Sequence, residues 1–146
     1  MDKIEDVDPP IKVVGISASG KSTVVRTLRE LGYNAVPVSQ EHSEIPYLWE
    51  LYGMPRYLIY LSISLSEQRR RRPDVTWSKR VYRAETLRLL HARDHANLRI
   101  DTSFLAAHSV LSIVQLSLAR ANISPGNQPL PPHTPTGMNR DFVKSG

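Results

Sequence analysis

The residues best suited to chemistry lie in one short stretch, Gly15-Ile16-Ser17-Ala18-Ser19-Gly20-Lys21-Ser22. Its spacing is G-x-x-x-x-G-K-S, in which successive backbone N–H groups cradle phosphate oxygens and the two glycines permit close approach. Within it, Lys21 can bridge the β- and γ-phosphates of a nucleotide, and the Ser22 hydroxyl can bind Mg²⁺. This stretch, the glycine loop, predicts a site for ATP or GTP together with Mg²⁺. The residues expected to bind the nucleotide here are Gly15, Ser17, Ala18, Ser19, Gly20, Lys21, Ser22 and Thr23.

The sequence around the glycine loop predicts the two elements that must position it. Before the loop, Ile11, Val13 and Val14 form a short β-branched apolar run, typical of a buried parallel strand. After it, residues 24–31 predict a helix that Gly32 closes. The start of that helix adds positive potential next to a bound phosphate.

Further strands and helices alternate along the chain. Residues 33–38 predict a second strand, which Pro37 makes an edge strand; residues 57–63 predict a central strand, and residues 98–101 a last short one. Such alternation predicts an α/β fold: a three-layer sandwich in which a short, mostly parallel sheet of about four strands carries helices on both faces. Ligands then bind at the carboxyl ends of the strands, beside the glycine loop.

Four stretches after the glycine loop's own helix also predict helices. Residues 43–52 predict a short helix, and a helix from Ser66 carries four arginines before Pro73 stops it. A single long helix is expected from about residue 76 or 77 to residue 95. An amphipathic helix over residues 103–119 is expected to cover the sheet.

Composition predicts one cytoplasmic globular domain. The chain has 146 residues, and 40% of them are hydrophobic. We expect a flexible acidic arm over residues 1–10, the domain over residues 11–121, and a disordered tail over residues 122–146, which holds five of the eleven prolines. No apolar run has transmembrane length, the acidic start predicts no signal peptide, and no membrane partner is expected. The absence of cysteine excludes disulfides and thiol catalysis.

Positive charge is concentrated in one segment. The net charge is +5, and nine of the nineteen Lys and Arg residues lie between Arg69 and Arg93, against only two acidic residues. Such a segment attracts anions, which include nucleotide phosphates, a phosphorylated product and RNA.

Three of these features together resemble the P-loop kinases of the nucleoside-monophosphate-kinase type, which include adenylate, shikimate and gluconate kinases. They are the glycine loop, the strand at 58–63 that runs into an arginine-rich helix, and Leu98-Arg99-Ile100-Asp101-Thr102 before the last helix. More narrowly, Gln40-Glu41-His42-Ser43 and the stretch from Leu89 to His95 are similar to a group of small P-loop proteins. The resemblance covers residues 11 to about 119. Two departures are that Leu61-Ser62-Ile63-Ser64 ends the central strand without a carboxylate, and that residues 43–56 are too few for a full substrate-binding insert.

The resemblance implies roles for residues outside the loop. Glu41 would orient Mg²⁺ or the acceptor hydroxyl, although a solvated loop glutamate is the alternative. Arg69 and Arg72 share a helix face and would clamp the transferred phosphoryl group, with a solvated basic face as the alternative. Asp101 and Thr102 would lie along the adenine base, and they could also cap the last helix. Trp77 is expected to pack at the core or its edge rather than to stack on a base.

Three functions follow from these expectations. The first is a Mg-ATP-dependent phosphotransferase that moves the γ-phosphoryl group to an unidentified small-molecule acceptor. The second is a nucleotide-binding regulatory or partner module with little or no catalysis, which the missing carboxylate on the central strand favours. The third is an RNA-associated protein that uses the nucleotide as a switch, with the basic segment binding RNA.

Overall fold

The chain folds into strands that alternate with helices. A computed structural model describes residues 8–134. The elements, in chain order, are β1 (Ile11–Gly15), α1 (Lys21–Glu30), β2 (Ala35–Pro37), β3 (Tyr57–Ser62), α2 (Leu65–Arg71), α3 (Lys79–Arg88), α4 (Leu90–His95), β4 (Leu98–Asp101) and α5 (Ala107–Arg120). Two 3₁₀ turns, Gln40–His42 and Leu48–Glu50, lie between β2 and β3.

The four strands form one sheet in the order β2-β1-β3-β4, with every pair parallel. The predicted α/β class and the strand count are therefore confirmed. Pro37 ends the edge strand, where a missing N–H costs no ladder bond inside the sheet. β3 lies between β1 and β4, and its buried run through Leu61 agrees with the predicted central position.

Both faces of the sheet are covered by other elements. Successive strand residues point to opposite faces, and they pack into two separate core clusters. Val13 and Ile59 belong to a core cluster that includes Leu28 of α1 and Val114 of α5. The neighbouring residue Val14 belongs instead to a second cluster, whose other members include Trp49, Leu58, Leu89 and Ala92. Helices α1 and α5 therefore pack on one face, and α4 with the turn around Trp49 packs on the other.

The predicted helix over residues 43–52 is wrong. The Gln40 side chain hydrogen-bonds to backbone groups of that segment, which a helix would pair with each other. The buried amide of Gln40 accepts a hydrogen bond from Trp49 N (3.0 Å) and donates one to Ile45 O (2.7 Å). Lys12, also buried, donates from Nζ to Trp49 O (2.9 Å). Desolvation lowers the pKa of Lys12, and the carbonyl partners partly offset that cost.

Two other predicted helices have different bounds. The expected long helix over residues 76–95 is two helices, α3 and α4, with a tight turn at Leu89, whose N–H bonds to Thr86 O (3.1 Å). The last helix begins at Ala107, not at residue 103, because Thr102 N still bonds to the sheet at Ser62 O (2.8 Å) and a turn follows, which Leu105 N closes on Thr102 O (3.2 Å). No helix within residues 8–134 is both long and apolar enough to cross a membrane.

Part of the proline-rich C-terminal segment packs on the domain, which differs from the expected disordered tail. Ile123 is 6% exposed and belongs to the same core cluster as α1 and α5. Gly126 N donates to Gly32 O (2.8 Å), and Leu130 N donates to Arg29 O (2.7 Å). A Cβ on Gly32 would lie 2.7 Å from Gly126 O, so glycine permits this approach. The rest of the expected tail (135–146) and most of the expected arm (1–7) lie outside the described residues.

The burial of Ile123 predicts that this residue contributes to stability. Ile123→Ala should lower the free energy of unfolding by about 2–5 kcal/mol, since it leaves a cavity in the core. Ser124→Ala, at an exposed neighbouring position, should change it by less than about 0.5 kcal/mol. Urea denaturation of both variants measures the difference, and equal stability of the two variants would show that the segment does not dock.

Candidate functional site

The glycine loop connects β1 to α1 at the carboxyl edge of the parallel sheet. It forms the floor of a cleft of about 730 Å³. The other elements that reach this cleft are the turn after β2, the end of α2 with the loop that follows it, and the segment that runs from β4 into α5. Outside the glycine loop and α1, the lining residues are Glu41, Arg70, Arg71, Arg72, Trp77, Thr102, Leu105, Ala107 and Val110.

Three consecutive carbonyl groups of the loop accept hydrogen bonds from side chains outside it. The pairs are Gln68 Nε2 to Ser17 O (2.7 Å), Arg71 Nη1 to Ala18 O (3.1 Å) and Thr102 Oγ1 to Ser19 O (2.9 Å). Gln68 and Thr102 are buried, and Arg71 is about three-quarters buried, so these bonds lie mostly out of water. The three peptide groups are therefore fixed in orientation.

The fixed carbonyl groups also fix the N–H groups of the next residues. A trans peptide directs its N–H opposite to its C=O, and no peptide bond in the described chain is cis. The three N–H groups that are oriented in this way belong to Ala18, Ser19 and Gly20. That of Ser19 donates to Ile16 O (3.1 Å). Within residues 8–134, no acceptor meets the N–H groups of Ala18, Gly20, Lys21 or Ser22. The loop thus presents several unpaired donors at the N-terminus of a ten-residue helix.

Close packing against β3 requires glycine at position 15. A Cβ on Gly15 would lie 2.6 Å from Ser19 Oγ and 2.9 Å from Leu61 O. The second glycine, Gly20, has φ 102°, a left-handed conformation that other residues rarely adopt. Ala18 holds a similar angle, φ 70°, so the loop stores some backbone strain.

Lys21 and Glu41 meet at the edge of the cleft. Lys21 Nζ lies 2.7 Å from both carboxylate oxygens of Glu41 and donates to Val38 O at 3.2 Å. Glu41 is 5% exposed, so it is not a solvated loop glutamate. The 3₁₀ turn Gln40–His42 places it there, and the largely exposed side chain of His42 lies with Nε2 3.5 Å from the same carboxylate. Burial makes each charge dependent on the other.

The arginines after β3 point in different directions. Arg69 donates from Nη2 to Trp77 O (3.0 Å) and does not line the cleft. Arg72 lines the cleft and forms two hydrogen bonds to Asp74, of 3.0 and 2.7 Å. The expected shared face of Arg69 and Arg72 does not exist, because α2 ends at Arg71 and Arg72 has non-helical backbone angles (φ −129°, ψ 72°). Arg71, which the sequence analysis did not single out, is the arginine that contacts the glycine loop.

Glu67 holds Arg71 in place. Its carboxylate accepts hydrogen bonds from Arg70 Nε (2.9 and 3.0 Å) and from Arg71 Nε (3.2 Å). These hydrogen bonds lower the pKa of Glu67 to about 2, and the bond from Arg70 has the largest effect. The carboxylate is therefore ionised at neutral pH, and it turns the Arg71 guanidinium toward Ala18 O.

Asp101 and Thr102 follow β4 but do different things. Thr102 is buried in the cleft wall and bonds to the glycine loop as described above. Asp101 is exposed and does not line the cleft, and its Oδ1 accepts a hydrogen bond from Ser103 N (2.9 Å). The side chain of Ser103 first, and then its backbone N–H, lower the pKa of Asp101 by hydrogen bonding. Neither residue caps α5, so the capping alternative is wrong.

Sequence reasoning missed a buried carboxylate that contacts the loop. Glu85 of α3 is 4% exposed and accepts hydrogen bonds from Ser17 N and Ser17 Oγ, both at 3.1 Å. Its helical spacing from Tyr82 and Leu89, which both pack in the core, could have shown that it faces inward. Ser22 and Thr23, predicted to bind nucleotide, both line the cleft, where Ser22 is exposed.

Comparison with protein-family models and with curated proteins found no match to this chain. Among the described residues, no three His, Asp or Glu side chains group as metal ligands would. The evidence that bears on function is therefore the geometry of the cleft.

Proposed function

We propose that this protein binds a Mg-nucleoside triphosphate, ATP or GTP, in the cleft and transfers the γ-phosphoryl group to a small acceptor. The activity would be that of a small P-loop kinase of the type that the sequence resembles. The observation that carries the proposal is the set of unpaired N–H groups in the glycine loop: the bonded carbonyl groups fix the direction of those of Ala18 and Gly20, and the start of α1 holds those of Lys21 and Ser22. A polyphosphate chain is the ligand class that such a set of donors binds at a helix N-terminus.

The Lys21–Glu41 pair supports the same reading. Glu41 holds the Lys21 ammonium at 2.7 Å, so a bound β- or γ-phosphate would replace one anionic partner of Lys21 with another. The Glu41 carboxylate could then ligate Mg²⁺ or accept a hydrogen bond from the acceptor hydroxyl. Ser22, which lines the same cleft, could supply a second oxygen, and Mg²⁺ prefers oxygen donors together with substrate phosphates. The metal would neutralise charge that develops on the phosphates.

Arg72 is the arginine best placed to act on the transferred group. Its partner Asp74 is 64% exposed, and exposed ion pairs contribute only about 0–1 kcal/mol. Asp74 can therefore release Arg72 toward a phosphoryl group at small cost. Arg71, in contrast, is already bonded to Glu67 and to the loop, so its role is to hold the binding site.

A nucleotide-binding regulatory module remains the second candidate function. The observation that favours it is the end of β3, where Ser62 and the following Ile63 and Ser64 offer no carboxylate. Glu41 would then serve only to hold Lys21. The two candidates differ in turnover and not in nucleotide binding.

Loss of Lys21 should abolish most of the stabilisation by nucleotide. Saturating Mg-ATP at about 100 times its dissociation constant should stabilise the wild type by about 2.7 kcal/mol, since it binds only the folded state. Lys21→Ala should show little of this gain, while Lys79→Ala, at an exposed site that does not line the cleft, should keep it. Thermal unfolding with and without Mg-ATP measures the gain for each variant against its own ligand-free state.

A double variant guards against a misfolded Lys21→Ala protein. Replacing Lys21 alone leaves the buried Glu41 carboxylate without its cation, which destabilises the fold. The Lys21→Ala/Glu41→Gln variant removes that charge as well and should restore stability without restoring the response to Mg-ATP. An equal response in wild type and both Lys21 variants would overturn the assignment of the loop.

Turnover distinguishes the kinase from the regulatory module. With a panel of small hydroxyl and phosphate acceptors, Arg72→Ala should lower turnover by about a hundredfold to a thousandfold, because it removes a contact to charge in the transition state. Arg80→Ala, an exposed cation on α3 that does not line the cleft, should turn over like the wild type. A wild type that binds Mg-ATP but shows no acceptor-stimulated turnover would favour the regulatory module.

A further inference from the structure

The loop that follows α2 holds one aromatic ring in the wall of the cleft. Trp77 is partly buried there, and its indole N–H donates to Arg72 O (2.9 Å). Its carbonyl oxygen accepts a hydrogen bond from Arg69 Nη2 (3.0 Å). Both ends of the residue are thus tied to the end of α2, and the ring is fixed relative to the cleft.

Because the indole N–H already donates to Arg72 O, it is not available to hydrogen-bond a ligand. A tryptophan has no other polar atom in its side chain, so the remaining interaction is through the flat π surface. Of the expected positions for Trp77, at the core or at its edge, the first is wrong, since Trp77 belongs to neither core cluster in the described chain. Arg69, which was expected to clamp phosphate, here positions this ring.

The cleft has two chemically different parts. The glycine loop with Lys21 provides hydrogen-bond donors and positive charge, which suit phosphate. Leu105, Ala107 and Val110 line the same cleft with apolar side chains, as does Trp77. A phosphate group alone would use only the first part and would leave the second exposed to water.

We infer that Trp77 stacks on the base of the bound nucleotide and so makes the site select nucleotides over other polyphosphates. This inference rests on the proposed function, because it requires phosphate binding at the glycine loop, and it adds a site for the base. Stacking of a base on an aromatic side chain tolerates either purine, since each has a π face. Alanine substitution at such a position weakens binding by about 5-fold to 150-fold.

The test compares a ligand that has a base with one that has none. Isothermal titration calorimetry measures the affinities of ATP and of inorganic tripolyphosphate, each with Mg²⁺, for the wild type and for Trp77→Ala, Trp77→Phe and Phe104→Ala. Trp77→Ala should weaken ATP by about 5-fold to 150-fold and leave tripolyphosphate unchanged. Trp77→Phe should retain most of the ATP affinity, since it keeps a ring. Phe104 is 93% exposed and does not line the cleft, so Phe104→Ala should change neither affinity.

The outcomes separate this inference from the proposed function. If tripolyphosphate binds the wild type as tightly as ATP, or if Trp77→Ala weakens both ligands equally, the base does not stack on Trp77, and phosphate binding at the loop stands. If neither ligand binds the wild type, the proposed function fails and the inference fails with it. The inference is supported if the wild type binds ATP more tightly than tripolyphosphate and if, among the three variants, Trp77→Ala alone removes this difference without changing the affinity for tripolyphosphate.

Discussion

The orientation of three peptide groups in the glycine loop is the constraint on which the site depends. Side chains of Gln68, Arg71 and Thr102 bond their carbonyl oxygens, and these residues lie 51, 53 and 83 positions further along the chain than the loop residues they bond. The parallel sheet makes this possible, because it brings the ends of β1, β3 and β4 to one edge. The fold thus determines the direction of donors that the loop sequence alone could not hold.

Carboxylates hold the cationic and polar groups around this loop. Glu41 bonds Lys21, Glu67 bonds Arg71, and Glu85 bonds Ser17, and all three carboxylates are buried. A buried carboxylate is costly unless it is hydrogen-bonded or paired, so each of these contacts fixes its partner firmly. The arrangement reduces the conformational freedom that a ligand would have to remove on binding, which is the benefit of a preorganised site.

The sequence predicted the parts of the structure that local patterns determine. The strand, glycine loop and helix around Lys21 follow from residue types and spacing, as do the edge position of β2 and the central position of β3. Glu41 was a candidate site residue because it lies shortly after the end of β2, at the edge of the sheet where the glycine loop also lies.

Contacts between distant segments decided the rest. Arg71, not Arg69, contacts the loop because Glu67, four residues before it on α2, holds its guanidinium toward Ala18 O. Arg72 does not continue the face of Arg69 because α2 ends one residue before it, and such a helix end depends on the packing around it. Glu85 looked like one acidic residue in a basic segment, yet Ser17 provides partners that make its burial possible. Ile123 packs against α1 and α5 although its neighbours are prolines and polar residues typical of disorder.

The central claim is that the unpaired N–H groups of the glycine loop bind the phosphates of a nucleotide. Backbone amide NMR of the ¹⁵N-labelled protein during titration with Mg-ATP measures this residue by residue. The largest, saturable changes in chemical shift are expected at Ala18, Gly20, Lys21 and Ser22, whose N–H groups have no acceptor within residues 8–134. Changes confined to exposed cations such as Lys79 and Arg80, with the loop amides unaltered, would contradict the claim.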